Sequence, residues 1–124
     1  MFETGLVSFL KAGNTSAADR VYPQTLPQGA ALPALVYFSV NTPVDYTQQG
    51  ESAIQTGRYQ VECWGETYQD AKTLAEETRQ MLSGFQGAMG EETVSGAFIE
   101  DEKDDKDPLT ERKRIILDVL IEHS

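Results

Sequence analysis

Two segments of the chain carry apolar residues at the spacing of an α-helix. The first opens the chain and stops at Gly13 and Asn14; its apolar positions are Phe2, Leu6, Phe9 and Leu10. The second follows Thr67, whose hydroxyl can cap a helix, and places Asp70 in the electropositive first turn. Gly84 closes this second segment, whose apolar face comprises Tyr68, Ala71, Leu74, Ala75, Thr78, Met81 and Leu82. These patterns predict a short N-terminal helix and a longer central one.

Four other segments have the patterns of β-strands. Residues 34–40 form a nearly continuous apolar run bounded by prolines, and residues 58–64 and 93–100 alternate. Residues 112–121 fit a strand better than a helix, because their β-branched content is high and their apolar positions split cleanly with a period of two. The order α-β-β-α-β-β predicts an α+β domain with a four-stranded antiparallel or mixed sheet and both helices packed on one face.

The predicted sheet keeps apolar side chains on the face away from the helices: Trp64, Ile99, Ile116 and Leu120. Because a face that meets only water rarely carries such a set, we predict that it is a subunit interface. Trp64 admits two interpretations. It either anchors a contact with another protein, or covers the sheet edge or packs under the long loop that precedes its strand.

Two polar segments separate the predicted elements. Residues 41–56 are long for a connection in a compact domain, and loops of that length are often functional. Residues 100–107 carry six acids and two lysines, which predicts a solvated loop. A calcium-binding loop is disfavoured, because Lys103 and Lys106 interrupt the ligand positions and the required glycine is missing.

Composition narrows the function. The length of 124 residues fits one domain spanning 1–124, and 20 acidic against 10 basic side chains give a net charge of −10. Such an acidic surface repels phosphate and argues against sequence-specific binding of nucleic acid. No segment approaches the ~20 apolar residues of a membrane span. The N-terminus lacks the pattern of a signal peptide.

Few residues of the types that carry chemistry are present. Cys63 is the single cysteine, which excludes an intrachain disulfide, and it lies on the apolar side of its strand, where a buried inert thiol is expected. His123 is the single histidine and is predicted to be a solvated residue near the C-terminus. We therefore predict no catalytic residue, no metal site and no cofactor, and a protein that works by binding or assembly.

Several short segments, taken in their order and spacing, match a known family. They are residues 21–23 (Val-Tyr-Pro), 27–29 (Pro-Gln-Gly), 32–37 (Leu-Pro-Ala-Leu-Val-Tyr), 58–64 (Arg-Tyr-Gln-Val-Glu-Cys-Trp), 67–71 (Thr-Tyr-Gln-Asp-Ala) and 82–84 (Leu-Ser-Gly). On these segments the chain resembles the small tail-completion proteins of long-tailed bacteriophages, a group that includes tail terminators and head-to-tail joining proteins.

The resemblance implies an α+β subunit that assembles with copies of itself into a ring, commonly a hexamer. The ring caps the head-proximal end of the tail tube in the virion, after assembly in the host cytoplasm. Its partners would be the major tail tube protein and the head connector. The alternative is a small-ligand-binding or regulatory α+β domain that dimerises through the sheet face; a hydrolase or transferase has no candidate residues.

Two sets of site residues follow from the ring. For the subunit interface we predict the Trp64 sheet face together with Tyr46 and Gln48 of the 41–56 loop. The acids predicted to face a DNA channel are Asp45, Glu51, Asp101, Asp104 and Asp105. An acidic lumen would let the duplex slide through without specific binding. Alternatively, the negative charge only keeps the free subunit soluble.

Overall fold

The computed structural model describes residues 2–13, 15–41, 46–47, 50–51, 55–106 and 112–123. Its helices are α1 (Phe2–Ala12) and α2 (Tyr68–Leu82). Its strands are β1 (Val21–Pro23), β2 (Ala34–Asn41), β3 (Tyr46–Thr47), β4 (Gly50–Glu51), β5 (Gln55–Gly65), β6 (Gly87–Met89), β7 (Glu92–Lys106) and β8 (Lys113–His123). Both predicted helices are present, and the four predicted strands correspond to β2, β5, β7 and β8.

The main sheet has six strands in the order β1-β2-β5-β8-β7-β6. Strand β1 runs parallel to β2 and every other neighbouring pair is antiparallel, so the sheet is mixed. The prediction of four strands is wrong because both edge strands have only three residues. Three residues are too few to show the alternation from which a strand is recognised in a sequence. Strands β3 and β4 pair with each other in a separate two-stranded sheet.

The sheet is curled, and α1 lies between its edges. Helix α1 contacts β1 and β6, the two outermost of six strands. Six flat strands would hold their outermost members about 24 Å apart, whereas a helix is only about 10 Å wide. Helix α2 instead crosses the inner face over β5, β8 and β7. The prediction of a four-stranded sheet with both helices packed on one face is therefore wrong.

The core fills the space between the curled sheet and the helices. It is built from the inner side chains of the central strands and from one face of each helix: Tyr59, Val61, Cys63, Ile115, Leu117, Val119 and Ile121 with Leu6, Leu10, Ala71, Leu74, Ala75 and Leu82. The start of α2 is as predicted, since the Thr67 hydroxyl accepts the Asp70 N–H at 3.1 Å. Gly84 follows the helix with a φ of +74°, which favours glycine.

The acidic segment at 100–107 is not a solvated loop as far as it is described. Residues 100–106 belong to β7, and those from Asp101 to Lys106 pair with β8. The acids can join a strand because basic side chains lie beside them. Glu102 contacts Lys72 at 2.8 Å and Arg79 at 3.4 Å, both on α2. A strand that appears too charged to pack is thus held by ion pairs to the helix beside it.

His123 is buried rather than solvated, so that prediction is also wrong. It is only 4% exposed and pairs with Gln55 on β5 and Val94 on β7. The cause is the length of β8, whose alternation continues past Ile121 and turns the imidazole inward.

Candidate functional site

The sheet has a second face, turned away from the core, which we call the open face. Residues directly opposite each other on neighbouring strands share a face, so the pairing register defines it. From β2 to β7 it carries Phe38, Arg58, Gln60, Glu62, Trp64, Arg114, Ile116, Asp118, Leu120, Phe98, Asp101, Lys103 and Asp105. A hollow with a volume of about 110 Å³ lies on it, lined in part by Val40, Gln60 and Ile116.

An ion cluster occupies the centre of the open face. Arg58 contacts Glu100 at 2.6 Å and Asp118 at 2.9 Å. The hydrogen bond to Glu100 is the largest of the effects that raise the pKa of Arg58, and the charge of Asp118 adds to it. The second oxygen of Asp118, Oδ1, is buried and has no hydrogen-bond partner among the described residues.

Trp64 is held by its own chain. Its indole N–H donates to Glu62 Oε1 at 3.1 Å, and the Arg114 guanidinium lies 5.3 Å from the ring centroid. Arg114 also contacts Glu62 Oε2 at 3.0 Å and, from its Nε, Asp105 Oδ2 at 2.7 Å. The indole is 8% exposed. This burial favours the interpretation in which Trp64 covers part of its own sheet. Its role in a contact between subunits stays a prediction.

The apolar side chains that the open face exposes most were not among the predicted interface residues. Phe98 is 47% exposed and Val40 is 51% exposed. Phe98 lies opposite Leu120, which is half-buried on the same face, as is Ile116. The exposed apolar surface therefore continues from Leu120 onto β7.

Ile99 lies on the opposite face from the one predicted. It pairs with the core residue Val119 and packs against the core. The pairing register of β7 shifts between Val94 and Gly96, so an uninterrupted alternation assigns the wrong side chains to the helix side. Phe98, the neighbour of Ile99 in the strand, faces outward instead. The one available signal was Gly96, because a glycine within a strand often marks a bulge.

The remaining predicted residues divide into three groups. Asp45 and Gln48 lie outside the described residues. Tyr46 and Glu51 are opposite each other in the β3–β4 hairpin. Asp101 and Asp105 lie on the open face, whereas Asp104 turns to the other side of β7 and accepts a hydrogen bond from the Tyr68 hydroxyl at 3.0 Å. The described acids therefore do not all face one direction.

The single cysteine of the chain is buried in an unreactive setting. Burial raises the pKa of the Cys63 thiol to about 12, so it stays protonated at neutral pH. In the described part of the chain, no three His, Cys, Asp or Glu residues come together in a way that could hold a metal ion. None of the described helices has the length and apolar character needed to cross a membrane.

The described residues thus form a curled mixed sheet with a partly apolar open face and a buried thiol. The family model described as "Tail completion protein gp17" matches residues 6–123. The chain belongs to this family of phage tail-completion proteins, which confirms the resemblance and gives it a structural role in the virion tail.

Solved structures share the fold at low sequence identity. One is a chain of a structure described as the virion of a native gene transfer agent particle: it is 17% identical, the match covers 98% of this chain and 90% of that one, and the TM-score is 0.63. A second is 15% identical over 98% of this chain and 89% of its own, with a TM-score of 0.57. No curated protein matches.

Proposed function

We propose that this protein forms a hexameric ring at the head-proximal end of the phage tail tube. There it ends tube growth, joins the tail to the head connector, or does both. Its partners are its own copies, the major tail tube protein and the head connector. Assembly takes place in the host cytoplasm. Membership of the tail-completion family supports a place in the tail.

The open face carries the proposal of a ring. Phe98 and Val40 expose about half of their apolar surface on a sheet face whose charged side chains, Arg58 and Arg114, are already paired within the chain. Paired charges cost less to bury against a neighbour than free ones. A ring needs a heterologous contact, in which this face of one subunit meets a different surface of the next. For that second surface we propose the loop that contains Tyr46 and Gln48.

The acidic side chains belong to the same proposal. Asp45, Glu51, Asp101, Asp104 and Asp105 would contribute to the negative surface around the channel, so that DNA passes without specific binding. Because Asp101 lies on the open face that is proposed as the ring contact, ring formation by the variant is checked first. Asp101→Lys should then slow DNA ejection from particles whose rings are intact, and Glu66→Lys, at an exposed acid before α2, is the matched control. Normal ejection by the Asp101 variant would contradict a role of this residue in the channel.

The ring is tested with substitutions on and off the open face. Phe98→Ser and Val40→Ser should abolish rings in negative-stain images and sedimentation while leaving the melting temperature nearly unchanged. Tyr68→Ser is the control, because Tyr68 is an exposed aromatic residue on α2, 45% exposed. Rings that survive both open-face substitutions would reject this face as the interface. In particles that lack the protein, tails of normal length and attachment would reject the role itself.

A further inference from the structure

Strand β7 has an outer edge without a neighbouring strand over most of its length. On its inner side β7 pairs with β8 from Val94 to Lys106. On its outer side, β6 pairs only with Glu92–Val94. In the part of the chain that the structure describes, no strand lies beside the outer edge between Phe98 and Asp105. This edge is long enough to pair with an additional strand of about eight residues.

The hydrogen bonds around β7 show which backbone groups point outward. The Ala97 carbonyl accepts the Gly84 N–H at 2.8 Å, so it points away from β8. The backbone N–H and carbonyl of Ile99, two residues further along the strand, point the same way. After the register shift between Ile99 and Asp101, the Glu102 N–H is bonded by the Asp101 carboxylate at 2.9 Å, and Asp104 follows by alternation. Ile99 and Asp104 thus offer both an N–H and a carbonyl to a neighbour.

The opposite edge of the sheet cannot be the neighbour of β7 in another copy. The Val21 N–H of β1 is bonded to the Asp19 carbonyl at 2.9 Å. Pro23 has no N–H, and its carbonyl accepts the Thr25 N–H at 2.8 Å. Strand β1 therefore has almost no outward group left for a ladder.

A second β7 is also an unsuitable neighbour. Residues 100–105 contain five acids and one lysine. In a two-fold antiparallel pair centred on Lys103, Asp101 would lie opposite Asp105 and Glu102 opposite Asp104 of the other copy, and like charges directly opposite destabilise a sheet. A basic strand would instead place opposite charges beside the acids of β7, and opposite charges stabilise strand pairing.

We propose that the outer edge of β7 binds an extended segment of a different virion protein, and that this segment alternates basic and neutral side chains. Strand addition satisfies the outward N–H and carbonyl groups of Ile99 and Asp104 and the outward carbonyl of Glu102, and the basic side chains lie beside the acids of β7. The ring contact uses the open face, so the edge stays available for this second partner.

The first test uses synthetic peptides and the full-length protein. The probe is an eight-residue peptide that alternates lysine and threonine. Its saturating addition should slow hydrogen exchange of the Ile99 and Asp104 amides about tenfold, measured by NMR, as pairing protects edge amides. One control alternates glutamate and threonine. A second control has the basic sequence with an N-methylated backbone, which keeps the charge and removes every donor. Equal binding of the N-methylated peptide would overturn the proposal, because charge alone would then explain it.

A pair of substitutions isolates the backbone contribution. Asp104→Ala and Asp104→Pro both remove the carboxylate, but only proline removes the outward N–H. Proline should weaken peptide binding about fivefold more than alanine, the loss expected for one hydrogen bond. Self-association that protects the same amides without peptide would overturn the assignment to a different protein. Ring formation is measured without peptide, so failure here is distinct from failure of the ring.

Discussion

At one edge of the sheet, β1 uses its backbone groups in its own turns; at the other, β7 leaves them open and surrounds them with acids. Both devices stop a protein from pairing with its own copies. They differ in what they still permit. The edge at Pro23 lacks free backbone groups and so cannot pair with any strand. The edge of β7 is disfavoured from pairing with its own copy by like charge, but it can pair with a strand of opposite charge. The comparison suggests that β1 serves stability alone and that β7 can also bind.

The largest effect is expected where α1 meets an edge strand. A Cβ at position 5 would lie 2.3 Å from the Met89 carbonyl oxygen of β6, and the backbone there cannot move aside cheaply. Gly5→Ala should lower the free energy of unfolding by about 3 kcal/mol in urea titrations. Gly13→Ala is the control, because its Cβ would meet only the flexible end of Met81. Equal losses in the two variants would show that α1 does not fix the edges.

The next effect concerns β5, in the middle of the sheet between the two edges. Burial raises the pKa of Tyr59 to about 12 from the usual value of 10.0. The unfolded chain therefore loses this proton first, and stability present below pH 10 is lost as the pH rises toward 12. A rise of this size in the pKa corresponds to roughly 2–3 kcal/mol of stability. Tyr59→Phe should flatten the fall in stability over this range, and an unchanged slope would contradict the assignment. Cys63→Ala measures separately how much of this pH dependence comes from the thiol.

A smaller effect tests how α2 supports the open edge. Glu102→Gln removes the charge that pairs with Lys72 and Arg79. Because these groups are partly exposed, the loss should be about 0.5–1 kcal/mol and should shrink in 1 M salt, where the Debye length is about 3 Å. The control is Glu76→Gln, at an exposed position on α2, which should change the free energy of unfolding little. A loss that persists at high salt would indicate packing rather than charge.

The smallest effect tests the closed edge. Pro23→Ala restores an N–H at the outer edge of β1 and should change the free energy of unfolding by less than about 1 kcal/mol. The new amide at position 23 should exchange with solvent nearly as fast as in an unfolded peptide. The Tyr22 amide, which alternation turns toward β2, provides the protected reference. Strong protection at position 23 would mean that β1 is not an outer edge.

The sequence predicted the centre of the molecule better than its borders. Helix α2 and strands β5 and β8 were recognised because Thr67, Gly84 and the alternation around Val61 are local signals for structures that the rest of the fold reinforces. Strands β1 and β6 have only three residues each and show no periodicity of their own. Their positions follow from the curl of the sheet, which no short segment encodes.

The candidate surface was predicted in part. Ile116 and Leu120 lie on the open face, but Ile99 does not. The register shift between Val94 and Gly96 reverses the alternation of β7, and the second shift, between Ile99 and Asp101, restores it. The charged part of β7 was missed for a different reason. The cations that make it compatible with a strand are on α2 and β8, as with Lys72 and Arg114, and these are distant in sequence.

The irregularity between Ile99 and Asp101 decides which way the acids of β7 face. Deleting Glu100 would turn each following side chain through half a rotation, so that Asp101 and Lys103 would face α2 and Glu102 would face outward. Lys72 and Arg79 would then face a lysine where a carboxylate had been. A single inserted residue thus determines which side chains of β7 face the helix. A change in strand length by one residue would exchange the two faces for all the residues that follow.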